Sequence, residues 1–131
     1  MKKLALALVL VLVAMFAVGC GGGLSNNFGI SKNNITKIEY RYGRGSSYKT
    51  IDLSKAGDLM KTFDVEYVSC DRNFEEYNGQ YVIYYNLDGT DYKVLLFVQS
   101  DKTVVAERYD GYATSYYKTT EAVEVPLDLT R

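Results

Sequence analysis

The sequence predicts an α+β domain, in which a mostly antiparallel sheet carries a single helix on one face. Many short segments alternate apolar and polar residues, which is the period of half-buried strands. One stretch of the part after residue 30 instead repeats apolar residues at helical spacing. The predicted connections are short, which favours antiparallel neighbours. A small closed β-barrel with the helix as a lid is the alternative fold.

The first elements are predicted to form a β-hairpin. Residues 35–42 alternate, with Ile38 and Tyr40 on one face and Lys37 and Glu39 on the other. The glycine-rich residues 43–46 are typical of a turn. Residues 47–53 then form a second strand that pairs back on the first.

The helix is predicted over residues 54–63. Its apolar residues recur on one helical face and are Leu53, Ala56, Leu59, Met60 and Phe63. Asp52 or Ser54 can cap its first turn. Because Gly57 costs about 1 kcal/mol relative to alanine inside a helix, we expect the helix to depend on packing against the sheet.

Strand patterns follow the helix up to the end of the chain. They cover residues 65–70, 81–86, 92–98, 104–109 and 112–118, with a polar loop over 71–79 and a last extended piece at 123–125. Residues 87–91 contain Asp88-Gly89, which is typical of a hairpin turn. Residues 92–98 are apolar on both faces, so we expect them to form the central strand of a four- to five-strand meander.

Composition limits the possible functions. The chain has 131 residues and a formal net charge of −1, so it presents no strongly basic field for nucleic acid. It contains no histidine, which excludes a Ser-His-Asp triad and any histidine-ligated metal. We find no catalytic constellation and therefore expect a protein that is not an enzyme and that uses no cofactor or metal.

The N-terminus differs from the rest of the chain. Lys2 and Lys3 precede fifteen apolar residues at 4–18, and Gly19 and Cys20 follow. A positive start followed by a 7–15-residue apolar run is typical of a secretory signal peptide. The run is shorter than the roughly 20 residues that span a bilayer as a helix.

The residues Ala17-Val18-Gly19-Cys20 resemble the lipobox of bacterial lipoproteins, with Ala17 and Val18 where other residues are more usual. The resemblance implies that residues 1–19 are removed and that Cys20 receives a diacylglyceryl group. The protein would then be anchored in the cell membrane, on its extracytoplasmic side, without spanning it. The glycine- and asparagine-rich residues 20–30 are predicted to be a flexible tether, and residues 31–131 a single domain. That domain resembles small β-rich lipoprotein domains of unknown function.

Tyrosine is unusually frequent, with 13 residues in the chain. Tyrosine favours strands, but it also supplies large rigid contact area at interfaces. Alternation places Tyr81 and Tyr85 on one face, and Tyr112 and Tyr116 together. We predict these four residues as a binding surface for a protein or glycan of the cell envelope.

Three functions remain open from the sequence. The first is a membrane-anchored binding or interaction module. The second is a structural or assembly subunit of an envelope complex, which would present a long edge strand or a flat apolar face. The third is a hydrolase that uses carboxylates such as Asp71, Glu75 and Glu76.

Overall fold

The computed structural model describes residues 23–71, 77–109 and 112–130. A short helix α1 (Leu24–Phe28) comes first, and helix α2 (Ala56–Phe63) follows the 3₁₀ turn Leu53–Lys55. The strands are β1 (Ile35–Arg41), β2 (Lys49–Ile51), β3 (Tyr67–Ser69), β4 (Tyr77–Leu87), β5 (Thr90–Gln99), β6 (Val104–Tyr109) and β7 (Thr114–Thr119). A second 3₁₀ turn, Leu127–Thr130, lies near the C-terminus.

The described strands form one antiparallel sheet of seven strands in the order β2-β1-β4-β5-β6-β7-β3. The order leaves β2 and β3 at opposite edges, so the sheet is open. The α+β prediction is therefore confirmed, and the closed-barrel alternative is wrong. Both edge strands have only three residues, and short edges limit unwanted pairing with other chains.

Strand β5 occupies the middle of the sheet, as its two apolar faces predict. It pairs with β4 on one side and with β6 on the other, so β4–β7 form a four-strand meander. The turn between β4 and β5 uses Asp88 and Gly89, both at positive φ, as a two-residue hairpin requires. Strand β3 departs from the expectation of neighbouring pairing, because it pairs with β7 at the far edge rather than with β4.

Helix α2 packs on one face of the sheet, which we call the helix-covered face. Asp52 caps the preceding turn by accepting a hydrogen bond from the Ser54 N–H at 2.8 Å. Leu59 and Phe63 are completely buried against the sheet, whereas Leu53 is exposed because the 3₁₀ turn rotates it outward. The Phe63 ring lies 5.0 Å from that of Tyr81 in β4.

The folded domain begins earlier than the predicted boundary at residue 31. Residues 24–30 were assigned to a flexible tether, but they form α1 and a turn whose apolar side chains Leu24, Phe28 and Ile30 are buried in the core. Gly29, at φ 73°, ends the helix and donates its N–H to the Ser25 carbonyl at 3.0 Å. A helix of five residues is unstable alone, so this segment is ordered by its packing.

Other predicted boundaries shift by a few residues. The second strand is confined to β2, and the last strand starts at Thr114 rather than at residue 112. Residues 123–125 form no strand, although Val123 is buried and donates its N–H to the Lys102 carbonyl. Of the predicted polar loop, residues 72–76 lie outside the described residues.

Candidate functional site

The structure separates the four tyrosines that the sequence predicts as a binding surface. Tyr81 and Tyr85 share a face as expected, but it is the helix-covered face, and both side chains are completely buried. Tyr116 lies on the opposite face, and Tyr112 precedes β7 with 98% of its surface exposed. The predicted four-residue surface is therefore not formed, and Tyr81 and Tyr85 are unavailable to a partner.

The other face of the sheet, which we call the helix-free face, carries a row of alternating lysine and tyrosine side chains. In the strand register, Lys37 of β1 pairs with Tyr84 of β4, and Tyr84 pairs with Lys93 of β5. In the antiparallel pairing of β5 with β6, Val94 lies opposite Arg108. The neighbouring residues Lys93 and Tyr109 therefore also lie beside each other. We define the lysine–tyrosine row as Lys37, Tyr84, Lys93 and Tyr109.

Tyr84 is held in place by two neighbours in β1. Its hydroxyl donates a hydrogen bond to Glu39 Oε1 at 2.7 Å, and the Lys37 ammonium lies 5.5 Å from the centre of its ring. The hydrogen bond to Glu39 raises the pKa of the Tyr84 hydroxyl, with a further contribution from burial. The two contacts with β1 orient the Tyr84 ring before any partner arrives.

The row is well placed for contact with another molecule. Lys37 and Lys93 are exposed, Tyr84 is partly exposed, and Tyr109 keeps 59% of its surface accessible. Tyrosine provides rigid aromatic contact area, and lysine provides a mobile positive charge. Alternation across four strands spreads both chemistries over roughly three strand spacings of about 4.8 Å each.

A buried polar and apolar layer lies beside the row on the same face. Val82, Phe97 and Val105 are buried there, although no helix of the described residues covers this face. Arg41 borders them, donating hydrogen bonds to Gln80 Oε1 at 2.7 Å and to the Tyr77 hydroxyl at 2.9 Å. These buried side chains are stabilised by contacts within the protein and are not available to a partner.

On the helix-covered face, aromatic side chains surround the guanidinium of Arg108. The Arg108 guanidinium lies 5.7 Å from the centre of the Phe28 ring and 5.1 Å from that of Tyr92. Tyr92 in turn stacks on Tyr85 at 5.5 Å. The Arg108 Nη1 donates to the Asn27 carbonyl at 3.5 Å, so this group fastens α1 to the sheet.

Buried tyrosine hydroxyls without a hydrogen-bond partner are a feature of this core. Among the described residues they belong to Tyr67, Tyr81 and Tyr85. Burial raises the pKa of all three phenols above the ordinary value. Each hydroxyl carries a desolvation cost that no hydrogen bond within the described residues offsets.

A groove of about 550 Å³ lies between the β1–β2 hairpin and the C-terminal 3₁₀ turn. It is lined by Tyr40, Arg41, Tyr42, Ser46, Ser47, Lys49, Leu127 and Thr130. Aromatic rings, hydroxyls and an ammonium group suit a small polar ligand, and the volume falls within the usual range for such sites. The hairpin predicted from the sequence contains the residues from Tyr40 to Lys49, whereas Leu127 and Thr130 belong to no predicted element.

The other groups predicted from the sequence are the lipidation site, the second cysteine and the candidate acids. Cys20 and its lipobox, and the acids Glu75 and Glu76, lie outside the described residues. Cys70 follows β3, and partial burial raises the pKa of its thiol, which is the opposite of the activation a nucleophile needs. Within the described parts of the chain, no group of three or more Asp, Glu or Cys side chains is arranged to hold a metal ion.

Comparison of the chain with protein-family models, with curated proteins and with solved structures finds no match. In residues 23–71, 77–109 and 112–130, no helix has the length and apolar character needed to cross a bilayer.

Proposed function

We propose that this chain is an extracytoplasmic lipoprotein, anchored in the cell membrane through a diacylglyceryl group on Cys20, whose single domain binds a partner and catalyses no reaction. The signal-like residues 1–19 and the lipobox-like residues 17–20 support the anchor. Two acyl chains bury enough methylene groups to hold a protein stably at a bilayer.

The lysine–tyrosine row is the observation that carries the binding role. The ammonium group of Lys93 is exposed, and that of Lys37 is also exposed but lies 3.9 Å from Glu39 Oε2, which offsets part of its charge. The positive charge of this pair of lysines favours a partner that presents carboxylates. Tyr84 and Tyr109 add aromatic contact area. Because the hydrogen bond to Glu39 already orders the Tyr84 side chain, less side-chain entropy is lost when a partner binds. The proposed partner is therefore an envelope protein with an acidic surface, rather than an uncharged glycan.

A role as an assembly subunit has less support. Strand addition needs an accessible edge of some length, and β2 and β3 offer three residues each. The apolar side chains of the helix-free face are also mostly buried, as Val82 and Phe97 show. Recognition by side chains of the row is the more economical explanation.

Site-specific crosslinking tests the proposal. A photoreactive amino acid is placed at Lys93 in the full-length protein, and at Lys61 on the exposed side of α2 as the matched control. After irradiation of intact cells, captured proteins are identified by mass spectrometry. We expect one acidic envelope protein to be captured from position 93 and not from position 61.

Charge reversal then separates the binding role from chance proximity. Lys37→Glu with Lys93→Glu is expected to abolish capture from a second probe at Tyr109, because like charges on both surfaces repel. Lys61→Glu is the control and is expected to leave capture unchanged. Equal capture from positions 93 and 61, or capture that survives the double reversal, would contradict the proposed surface.

A further inference from the structure

The described chain starts at a point fixed against the edge of the sheet. Gly23 packs on the segment between α2 and β3, where a Cβ atom built on it would collide with the Asp64 carboxylate and come within 2.9 Å of the Val65 carbonyl oxygen. The next residue, Leu24, is completely buried. The backbone of Gly23 is therefore packed against the residues that lead into the edge strand β3.

Hydrogen bonds reinforce this attachment. The Asp64 carboxylate accepts from the Ser25 N–H at 3.1 Å and from the Ser25 hydroxyl at 3.0 Å. Two residues further on, the Glu66 carbonyl accepts from the Thr120 N–H, beside the β3–β7 pairing. The start of the domain is therefore joined by direct contacts to the segment that leads into β3.

The distance from this edge to the proposed lipid is short. Three virtual bonds separate Cys20 from Gly23, and each spans about 3.8 Å between Cα atoms, so the two Cα atoms are at most about 11 Å apart. Residues 24–30 cannot extend that reach, because they belong to the folded domain.

We infer that the β3 edge of the sheet faces the lipid headgroups and that the β1–β2 edge points away from the membrane. This inference rests on the proposed lipidation of Cys20. Six strand spacings of about 4.8 Å separate β3 from β2, which puts the far edge roughly 29 Å beyond the near one. Both faces of the sheet are then roughly perpendicular to the plane of the bilayer. The lysine–tyrosine row, which lies on one of these faces, stays accessible.

The chemistry of the near edge agrees with contact to polar headgroups rather than insertion into the hydrocarbon. A groove of about 220 Å³ lies there, lined by Val65, Glu66, Thr120, Glu121, Ala122 and Val123. Glu66 and Glu121 are both exposed, and carboxylates remain in water or among headgroups because burying them is costly. These side chains are consistent with an edge that lies at the headgroups without entering the hydrocarbon.

Short-range fluorescence quenching tests the orientation. Full-length lipidated protein carrying Cys70→Ser receives one new cysteine, at Glu66 on the near edge or at Ser47 in the hairpin of the far edge. Both positions are exposed, and the acylated Cys20 does not react with the dye. The labelled proteins are placed in phosphatidylcholine vesicles that contain a headgroup spin label as quencher.

We expect quenching at position 66 to be several-fold stronger than at position 47. Inserting ten glycine and serine residues before Gly23 provides the matched control, since the longer tether releases the edge and is expected to remove most of the difference. Equal quenching at both positions, weak quenching at both, or stronger quenching at 47 would overturn the orientation.

The same samples distinguish failure of the orientation from failure of the anchor. Mass spectrometry of the purified protein reports the acyl group on Cys20 before reconstitution. Absence of that group contradicts the proposed function, and the orientation falls with it. An acylated protein with a quenching pattern other than the expected one contradicts the orientation alone.

Discussion

The carboxylate of Asp64, which follows the last residue of α2, accepts hydrogen bonds from both the backbone N–H and the hydroxyl of Ser25 in α1. The two residues are 39 positions apart in sequence. Gly23 provides no side-chain cap for α1, so Asp64 takes that role from a distant part of the chain. One contact thus joins the start of the domain to the end of its main helix.

Removing this contact is expected to destabilise the protein. Asp64→Ala leaves the N–H and the hydroxyl of Ser25 without their acceptor, and we expect the free energy of unfolding to fall by about 1–2 kcal/mol. Asp64→Asn keeps one acceptor oxygen and is expected to cost less. Urea unfolding followed by circular dichroism measures both, and an unchanged stability for Asp64→Ala would contradict the capping role.

The segment 24–30 is expected to behave as core rather than as linker. Phe28→Ala removes a buried ring that packs edge-to-face on Tyr117 at 5.1 Å, and we expect a loss of about 3–5 kcal/mol. Asn26→Ala, at an exposed position of the same helix, is the control and should change little. Equal stability of the two variants would show that the segment is not packed.

A side chain at Gly29 is expected to destabilise the protein. Gly29→Ala must adopt φ 73° and would also bring its Cβ within 2.8 Å of Leu87 Cδ2. Gly89→Ala shares the positive φ, at 85°, but meets no atom within 4 Å. Each change costs about 1–2 kcal/mol through the backbone, and we expect Gly29→Ala to cost more by the Leu87 contact. Thermal unfolding compares the two, and equal losses would count against that contact.

The buried tyrosine hydroxyls predict an unusual response to phenylalanine. Tyr67→Phe, Tyr81→Phe and Tyr85→Phe each remove a hydroxyl that has no hydrogen-bond partner among the described residues. The free energy of unfolding should therefore stay constant or rise by up to about 1 kcal/mol. Tyr84→Phe instead loses the hydrogen bond to Glu39 and should be less stable than the wild type. Losses in the first three variants as large as that in Tyr84→Phe would indicate hydrogen bonds to those hydroxyls.

The same residues predict how stability depends on alkaline pH. Burial raises the pKa of Tyr67 and Tyr81 in the folded state above the ordinary value of 10.0. Below about pH 10 the phenols are neutral in both states, and their contribution is constant. Above it the unfolded chain loses these protons more readily, so stability falls as pH rises towards the folded-state pKa values.

Urea titrations between pH 8 and pH 12, with phenolate absorbance as a second signal, follow this loss. The combined Tyr67→Phe and Tyr81→Phe variant should show a shallower decline than the wild type. Identical slopes would indicate that other groups cause the alkaline destabilisation.

Much of the sheet was predictable because strand alternation is a local signal. The apolar double face of β5 identified the central strand, and Asp88-Gly89 identified a hairpin. The position of β3 was not predictable, since its partner β7 lies about fifty residues further along the chain and local alternation does not identify a pairing at that distance. Helix α1 was missed because Leu24 and Phe28 are separated by polar residues and adjoin glycines, which is also the composition of a tether.

The candidate site was also predictable only in part from the sequence. Alternation placed Tyr81 with Tyr85 correctly, but the sequence did not determine which face the helices cover, so the predicted surface included buried residues. Lys37, Lys93 and Tyr109 were not identified, because they become neighbours only through the register of four strands. The one signal in the sequence that could have indicated these residues is alternation, which shows which residues of each strand share a face.

The anchor at Cys20 is the central claim, because both the location of the protein at the cell envelope and the orientation of its sheet depend on it. Its most direct test is mass spectrometry of the N-terminal peptide from protein purified out of host membranes. We expect a chain that begins at Cys20 and carries a diacylglyceryl group, and a Cys20→Ala variant that leaves the membrane fraction. A mature chain that begins elsewhere, or an unmodified Cys20, would contradict the claim.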